Sequence, residues 1–186
     1  PKIGEKKSLV DIAIRNAKLI LGKENSKKIK IKEKVSKNIE ILKQDLNMDI
    51  PPRRIEAFDI SNTQGTNSVA SMVCFIDGKS RKKEYRTYKI KTVKGIDDFK
   101  SISEVVFRRY NHIIKNEGSL PDLILIDGGL GHLSTAEKII QDLGLLEKVD
   151  LACIAKGKFR NAIETDEVLR PGRKHPIYFK ENSPSR

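Results

Sequence analysis

The sequence predicts a mixed α/β domain, a sheet with helices on its faces, preceded by a helical linker. Three observations carry that expectation. Apolar residues recur at helical spacing as far as Pro51-Pro52, strand-like segments with a hairpin signal at Asp77-Gly78 follow, and helices then alternate with short, wholly apolar runs up to Ala155.

Residues Ser8 to Leu21 place Leu9, Ile12, Ala13 and Ile20 on one helical face, with Ser8 and Asp11 spaced as a capping box and Gly22 as the stop. A Lys-rich stretch from Lys23 to Lys34 follows, and Val35, Ile39, Leu42 and Leu46 resume the helical spacing until the prolines forbid it. Residues 1–50 are therefore expected to be a helical linker and residues 51–186 the domain. Strands are expected over Arg54 to Ile60, Val69 to Ile76 and Arg81 to Val93, as an antiparallel meander. Asp97 to Asn116 is helical through Phe99, Ile102, Val106 and Ile113. The run from Asp122 to Asp127 has the continuous apolar character of a strand covered on both faces. Gly128-Gly129-Leu130-Gly131 leads into a helix marked by Leu133, Ala136, Ile140 and Leu143 and ended by Gly144, and Leu151 to Ala155 is the next strand.

A chain of 186 residues suits one domain with an appendage. Its 37 Lys and Arg against 25 Asp and Glu give a formal charge of +12, which favours a polyanionic partner such as nucleic acid. Cys74 and Cys153 each lie inside an apolar run with no zinc-ligand spacing, so both are expected to be buried thiols. No apolar stretch approaches the roughly 18 residues that span a bilayer and no signal peptide opens the chain, so no membrane partner and a cytoplasmic location are expected.

Asp59 and Asp127 are each read as ending an apolar strand, where an ionised group leaving water loses several kcal/mol unless a cation or hydrogen-bond donors compensate. Two such acids brought together repel, and a divalent metal resolves both difficulties. Oxygen-only ligands select Mg²⁺ or Mn²⁺ over zinc. The alternative is that each Asp caps the turn or helix after it.

The residues around these acids resemble a known family. Arg54-Ile55-Glu56-Ala57-Phe58-Asp59-Ile60-Ser61-Asn62, the basic segment Arg81 to Arg86, Gly95-Ile96-Asp97-Asp98-Phe99, Arg108-Arg109-Tyr110, Leu120 to Gly129 and Asn182-Ser183-Pro184-Ser185 occur in the order found in the C-terminal half of UvrC. UvrC is the incision subunit of bacterial nucleotide excision repair. Several long motifs in one order are more specific than any single motif.

The resemblance implies an RNase H-like fold, incision of damaged DNA on the 5′ side of a lesion, and a UvrB-like damage-loading partner. It implies that Asp59 and Asp127 are catalytic and hold the metal. It also matches Asp98 to a further functional carboxylate, against its alternative as a helix-start acid favoured by the macrodipole. A remaining catalytic histidine is expected on a helix after Ser183-Pro184, so the domain is expected to be cut before its C-terminal helix. The chain should then bind metal weakly and cleave poorly compared with a version extended through that helix. His112 and His175 are expected at the surface. His132 and Leu130 stand where the family usually has glutamine and lysine.

Lys82, Lys83, Arg86, Arg108, Arg109, Lys156, Lys158 and Arg160 are the candidate grips on a phosphate backbone, a contact blind to sequence. Tyr85 and Tyr88 could stack on a base or pack into the sheet. One rival function is a non-catalytic DNA-binding or partner-docking module in which the acids are structural. Another is a nucleotide phosphotransferase using Gly128 to Gly131 as a phosphate cradle, ranked last because the segment lacks the Lys-Ser/Thr of a Walker loop.

Overall fold

The structure is a computed structural model, and it describes residues 36–63, 67–93, 95, 97–156, 166–179 and 183–184. The chain divides into two compact units, Pro1–Val35 and Ser36–Arg186, and every described residue belongs to the second. The expected helix over residues 8–21 and the Lys-rich stretch over 23–34 lie outside the described residues.

The first described helix, α1 (Lys37–Leu46), starts at Ser36, whose hydroxyl accepts from the Ile39 amide, and stops at Asn47 in the left-handed conformation. Its apolar stripe belongs to the fold. Leu46 and, just beyond the helix, Met48 are buried against Ile55, Leu123, Ala152 and Val168. Leu42, Leu46 and Met48, within the segment expected to be linker, thus pack onto one face of the sheet.

Among the described residues that sheet contains seven strands. They are β1 (Arg54–Thr63), β2 (Asn67–Ile76), β3 (Lys79–Ser80), β4 (Arg86–Lys89), β5 (Leu123–Asp127), β6 (Asp150–Ala155) and β7 (Glu167–Leu169), in the order β3-β2-β1-β5-β6-β7 with β4 also on β2. β1 runs antiparallel to β2 and parallel to β5, β5 is parallel to β6, and β7 closes the far edge antiparallel to β6. Helices α2 (Asp98–Lys115) and α3 (Leu130–Asp142) cover one face. There Phe58, Met72, Tyr110, Ile126 and Ile140 form the larger core.

Two expectations need correction, and one strand was not expected at all. β1 continues past Ile60 to Thr63, so Asp59 lies within a strand rather than at its end. The single strand expected over Arg81 to Val93 is broken. Between the pairs Phe75↔Ser80 and Met72↔Arg86, β2 advances three residues while its neighbour advances six. The surplus is taken up by a 3₁₀ turn at Lys82–Glu84, which brings Glu84 within 2.6 Å of Arg54. β7 was not foreseen, because Glu167-Val168-Leu169 is too short to show an alternating pattern.

Candidate metal centre and its surroundings

Strand parity decides which residues share a face. On β1, Glu56 and Phe58 point to the face covered by α2, while Ala57 and Asp59 point to the other. The parallel register of β1 and β5 ends at Phe58↔Ile126, and its next step sets Asp59 beside Asp127. Neighbouring strands are about 4.8 Å apart, so these side chains leave the sheet as adjacent groups on one face. Asp59 sits where the β1–β5 pairing stops while the β1–β2 pairing continues, through Asp59↔Ser71 to Thr63↔Asn67.

Both carboxylates are exposed at the wall of one cavity of about 380 Å³. Its floor includes Ala57, Val73, Leu125 and Ile154, and Lys156 and Asp166 complete its polar rim. Among the described residues neither Asp59 nor Asp127 takes part in an ion pair or a side-chain hydrogen bond. Two adjacent, unneutralised oxygen donors above an apolar floor fit a hard divalent cation. Among the described residues no group of three His, Cys, Asp or Glu side chains stands close enough to hold an ion, so the site rests on two carboxylates.

The turn after Asp127 is set by Gly128, at φ +148°, where a Cβ would come within 2.7 Å of the His132 ring. His132 stacks at 4.8 Å between ring centroids on Phe99, the second residue of α2. This contact holds the start of α2 against the start of α3. Asp98 opens α2, capped by Asp97, which accepts from the Lys100 amide. Asp98 does not line the cavity that Asp59 and Asp127 share.

The basic candidates separate. Lys156 joins the acids at the cavity. Lys82 and Lys83 are exposed on the 3₁₀ turn. Arg86 lies opposite Met72 and so projects on the helix-covered face, away from Asp59. Arg108 pairs with Glu104 at 2.8 Å and lies 5.5 Å above the Tyr88 ring. Tyr85 and Tyr88 are partly buried against the core. Arg109, expected at the nucleic-acid surface, is turned inward to Glu56 at 2.6 Å with only 12% of its side chain exposed. Lys158 and Arg160 lie outside the described residues.

Sequence reasoning also missed the centre that captures Arg109. Glu56 is fully buried and accepts from Arg54 at 2.7 Å, Arg109 at 2.6 Å and the Tyr110 hydroxyl at 3.2 Å. Burial opposes the charge on Arg54, but hydrogen bonds to Glu84 and Glu56 outweigh it and hold its pKa above the ordinary value. Burial, reinforced by the Glu56 charge, pushes the Tyr110 hydroxyl well up, so it remains a donor. Asp166 was missed because it precedes a strand that the pattern does not show.

A mixed sheet of seven strands among the described residues, flanked by helices, is the RNase H-like fold of the family whose model the chain matches. The chain belongs to the UvrC RNase H endonuclease domain family, whose model matches residues 43–186. It is 43% identical over 186 residues to UvrABC system protein C of Flavobacterium johnsoniae, covering 98% of this chain and 30% of that protein. To the protein of the same description from Methanococcus maripaludis it is 46% identical over 182 residues, covering 98% and 31%. The chain thus spans under a third of the length of these curated relatives. Among solved structures, endonuclease V of Ciona intestinalis in complex with inosine-containing DNA aligns at 17% identity and a TM-score of 0.43, covering 75% of this chain and 58% of that one. No described helix is long and apolar enough to cross a membrane.

Proposed function

We propose that this chain is a divalent-metal-dependent DNA endonuclease domain that makes the 5′ incision in bacterial nucleotide excision repair. Its substrate is DNA bearing a lesion prepared by a UvrB-like subunit, and it works in the cytoplasm. The single observation that carries the reading is the register that sets Asp59 beside Asp127 on one face, at a shared cavity. Family membership supplies the reaction class.

Asp59 and Asp127 would hold Mg²⁺ or Mn²⁺ through oxygen ligands alone. When bound, such a cation lowers the pKa of a coordinated water and offsets charge developing on the leaving oxygen of a phosphodiester. The chain's own contribution is placement. Strand pairing fixes both carboxylates on rigid backbone, so little reorganisation accompanies binding. Lys156 adds a cation at the cavity edge, suited to a phosphate oxygen of the substrate strand. The half-buried apolar floor under the acids limits competing water and strengthens the field at the site.

The test is Asp59→Asn and, separately, Asp127→Asn, assayed by Mn²⁺-supported nicking of supercoiled DNA and by DNA affinity. Each variant should lose about 10³-fold or more of nicking, a transition-state loss of about 4 kcal/mol, with affinity nearly unchanged. Equal nicking in the parent and both variants would leave the acids structural, and DNA binding with no Mn²⁺-supported nicking in any of the three would favour a non-catalytic DNA-binding or partner-docking module.

A further inference from the structure

We propose that the groove between β4 and α2, on the face of the sheet opposite to Asp59 and Asp127, is a second nucleic-acid site that holds the phosphate backbone of a single strand. The proposal rests on the nuclease reading for its biological sense, while the groove and its charge stand independently of it.

The groove is a cavity of about 520 Å³ whose wall includes Arg86, Arg108, Arg109, His112 and Lys115 and, among the described residues, contains no acidic side chain. A neighbouring cavity of about 360 Å³ continues it, sharing Arg86, Arg109 and His112. The one acid there among the described residues, Glu84, is already paired with Arg54 at 2.6 Å. Behind the wall, Glu56 neutralises Arg109. Arg86 and Lys115 differ from these. Arg86 donates to the carbonyl oxygens of Lys83 at 3.1 Å and Tyr85 at 2.8 Å, which fix its direction without offsetting its charge. Among the described residues neither Arg86 nor Lys115 has an acidic partner, and both are exposed. Uncompensated cations in a concave surface attract a polyanion and release its counterions.

Two features select a nucleic-acid strand over an acidic peptide. The Arg108 guanidinium over the Tyr88 ring offers a flat face on which a base can stack, a contact available at every nucleotide of a strand but only at the aromatic residues of a peptide. The strand that carries Arg86 is also an edge of the sheet, and its residues alternate between faces. Arg86 and Tyr88 turn toward the helices, and Lys89, opposite Val69, turns to the face of Asp59. β4 lies two strands from β1, roughly 10 Å across the sheet. A flexible polymer of phosphates lying over Asp59 can therefore round this edge past Lys89 and enter the groove, which a stiff duplex cannot do.

The experiment is the Arg86→Gln/Lys115→Gln double variant, with Lys138→Gln/Lys148→Gln as a charge-matched control on exposed positions elsewhere. Affinity for a fluorescent single-stranded oligonucleotide is measured across a salt series. Removal of two phosphate contacts should weaken binding about tenfold at low salt and reduce the slope of log K against log salt by about 1.4, since each contact on a single strand contributes about 0.7. The control should change neither. An unchanged slope in the double variant, or an equal fall in the control, overturns the proposal. So does loss of binding to poly-glutamate with oligonucleotide binding intact, which would assign the groove to an acidic protein segment. Asp59→Asn separates the two readings: retained Mn²⁺-supported nicking there removes Asp59 from the proposed metal site, while the salt slope still decides the groove.

Discussion

Glu56 and Asp59 lie three residues apart on one strand and meet opposite fates. Glu56 points under α2, is fully buried, and is surrounded by Arg54, Arg109 and Tyr110. Asp59 points to the other face, is exposed, and has no cationic partner among the described residues. Parity on a strand is enough to produce the difference, because successive side chains leave opposite faces. The first carboxylate supplies its compensation from within the chain and so serves the fold. The second leaves its compensation to be brought from outside, which is what a metal site requires.

The sharpest way to break this comparison is Glu56→Gln. The substitution preserves shape but leaves the Arg54 and Arg109 charges without their shared anion, and disrupting a buried pair in this way costs about 3–5 kcal/mol. For a domain of this size that lowers the melting temperature by roughly 10 °C, readable by calorimetry or circular dichroism. A loss of less than about 1 kcal/mol would show that the network is solvated and that the two acids are not different in kind.

Much of this was legible in the sequence, and the limits are instructive. The helix over Asp98–Lys115, the apolar run ending at Asp127 and the Asp77-Gly78 turn all rest on local periodicity and turn chemistry, which a single segment displays. Asp59 and Asp127 could be singled out one at a time, but their adjacency depends on register between strands 68 residues apart, which no local pattern encodes. Glu56 was invisible for the same reason. Its partner Arg109 comes from a helix 53 residues downstream, and an arginine in a basic chain is indistinguishable from a surface cation until its helix is docked. The 3₁₀ detour at Lys82–Glu84 depends equally on Arg54, which attracts Glu84 from across the sheet edge.

A second measurement sharpens the contrast from the Asp59 side. A ligand that binds only the folded state stabilises it by RT ln(1 + [L]/Kd), so Mn²⁺ at ten times its dissociation constant adds about 1.4 kcal/mol. The melting temperature should rise by roughly 3–6 °C, and Asp59→Asn or Asp127→Asn should abolish the rise. Glu56, already neutralised, contributes nothing to it. An undiminished rise in both Asp variants would place the ion elsewhere.

Acid distinguishes internally compensated carboxylates in another way. Burial works against the charge of Glu104, but hydrogen bonds from Thr92 and Lys91 and its pairing with Arg108 overcome this and hold its pKa below the usual 4.5. A hydrogen bond from Arg54 lowers that of Glu84 likewise. Each pKa is lower in the folded state, so the stabilisation is complete above the unfolded value near 4.5 and is lost as pH falls through the lowered folded value. Melting temperature should therefore decline on acidification in that window, and Glu104→Gln should flatten the decline. A Glu104→Gln curve parallel to that of the parent would remove this contribution.

The smallest effect belongs to Asp98, which stands between the two kinds of acid. It occupies the first turn of α2, where a negative charge near the helix N-terminus is worth about 0.3–1 kcal/mol. It also belongs to the helix end that Phe99 anchors on His132, one turn beyond Asp127. A purely structural Asp98 predicts that Asp98→Asn lowers the melting temperature by about 1–3 °C and leaves both nicking and the Mn²⁺-induced rise intact. A carboxylate that contributes to the metal site predicts the reverse: a rise that shrinks together with nicking, out of proportion to the stability change. Because Asp98 does not line the cavity of Asp59 and Asp127, the first outcome is expected. The second would mean that metal binding draws the start of α2 toward the sheet, using the Phe99–His132 contact as its hinge.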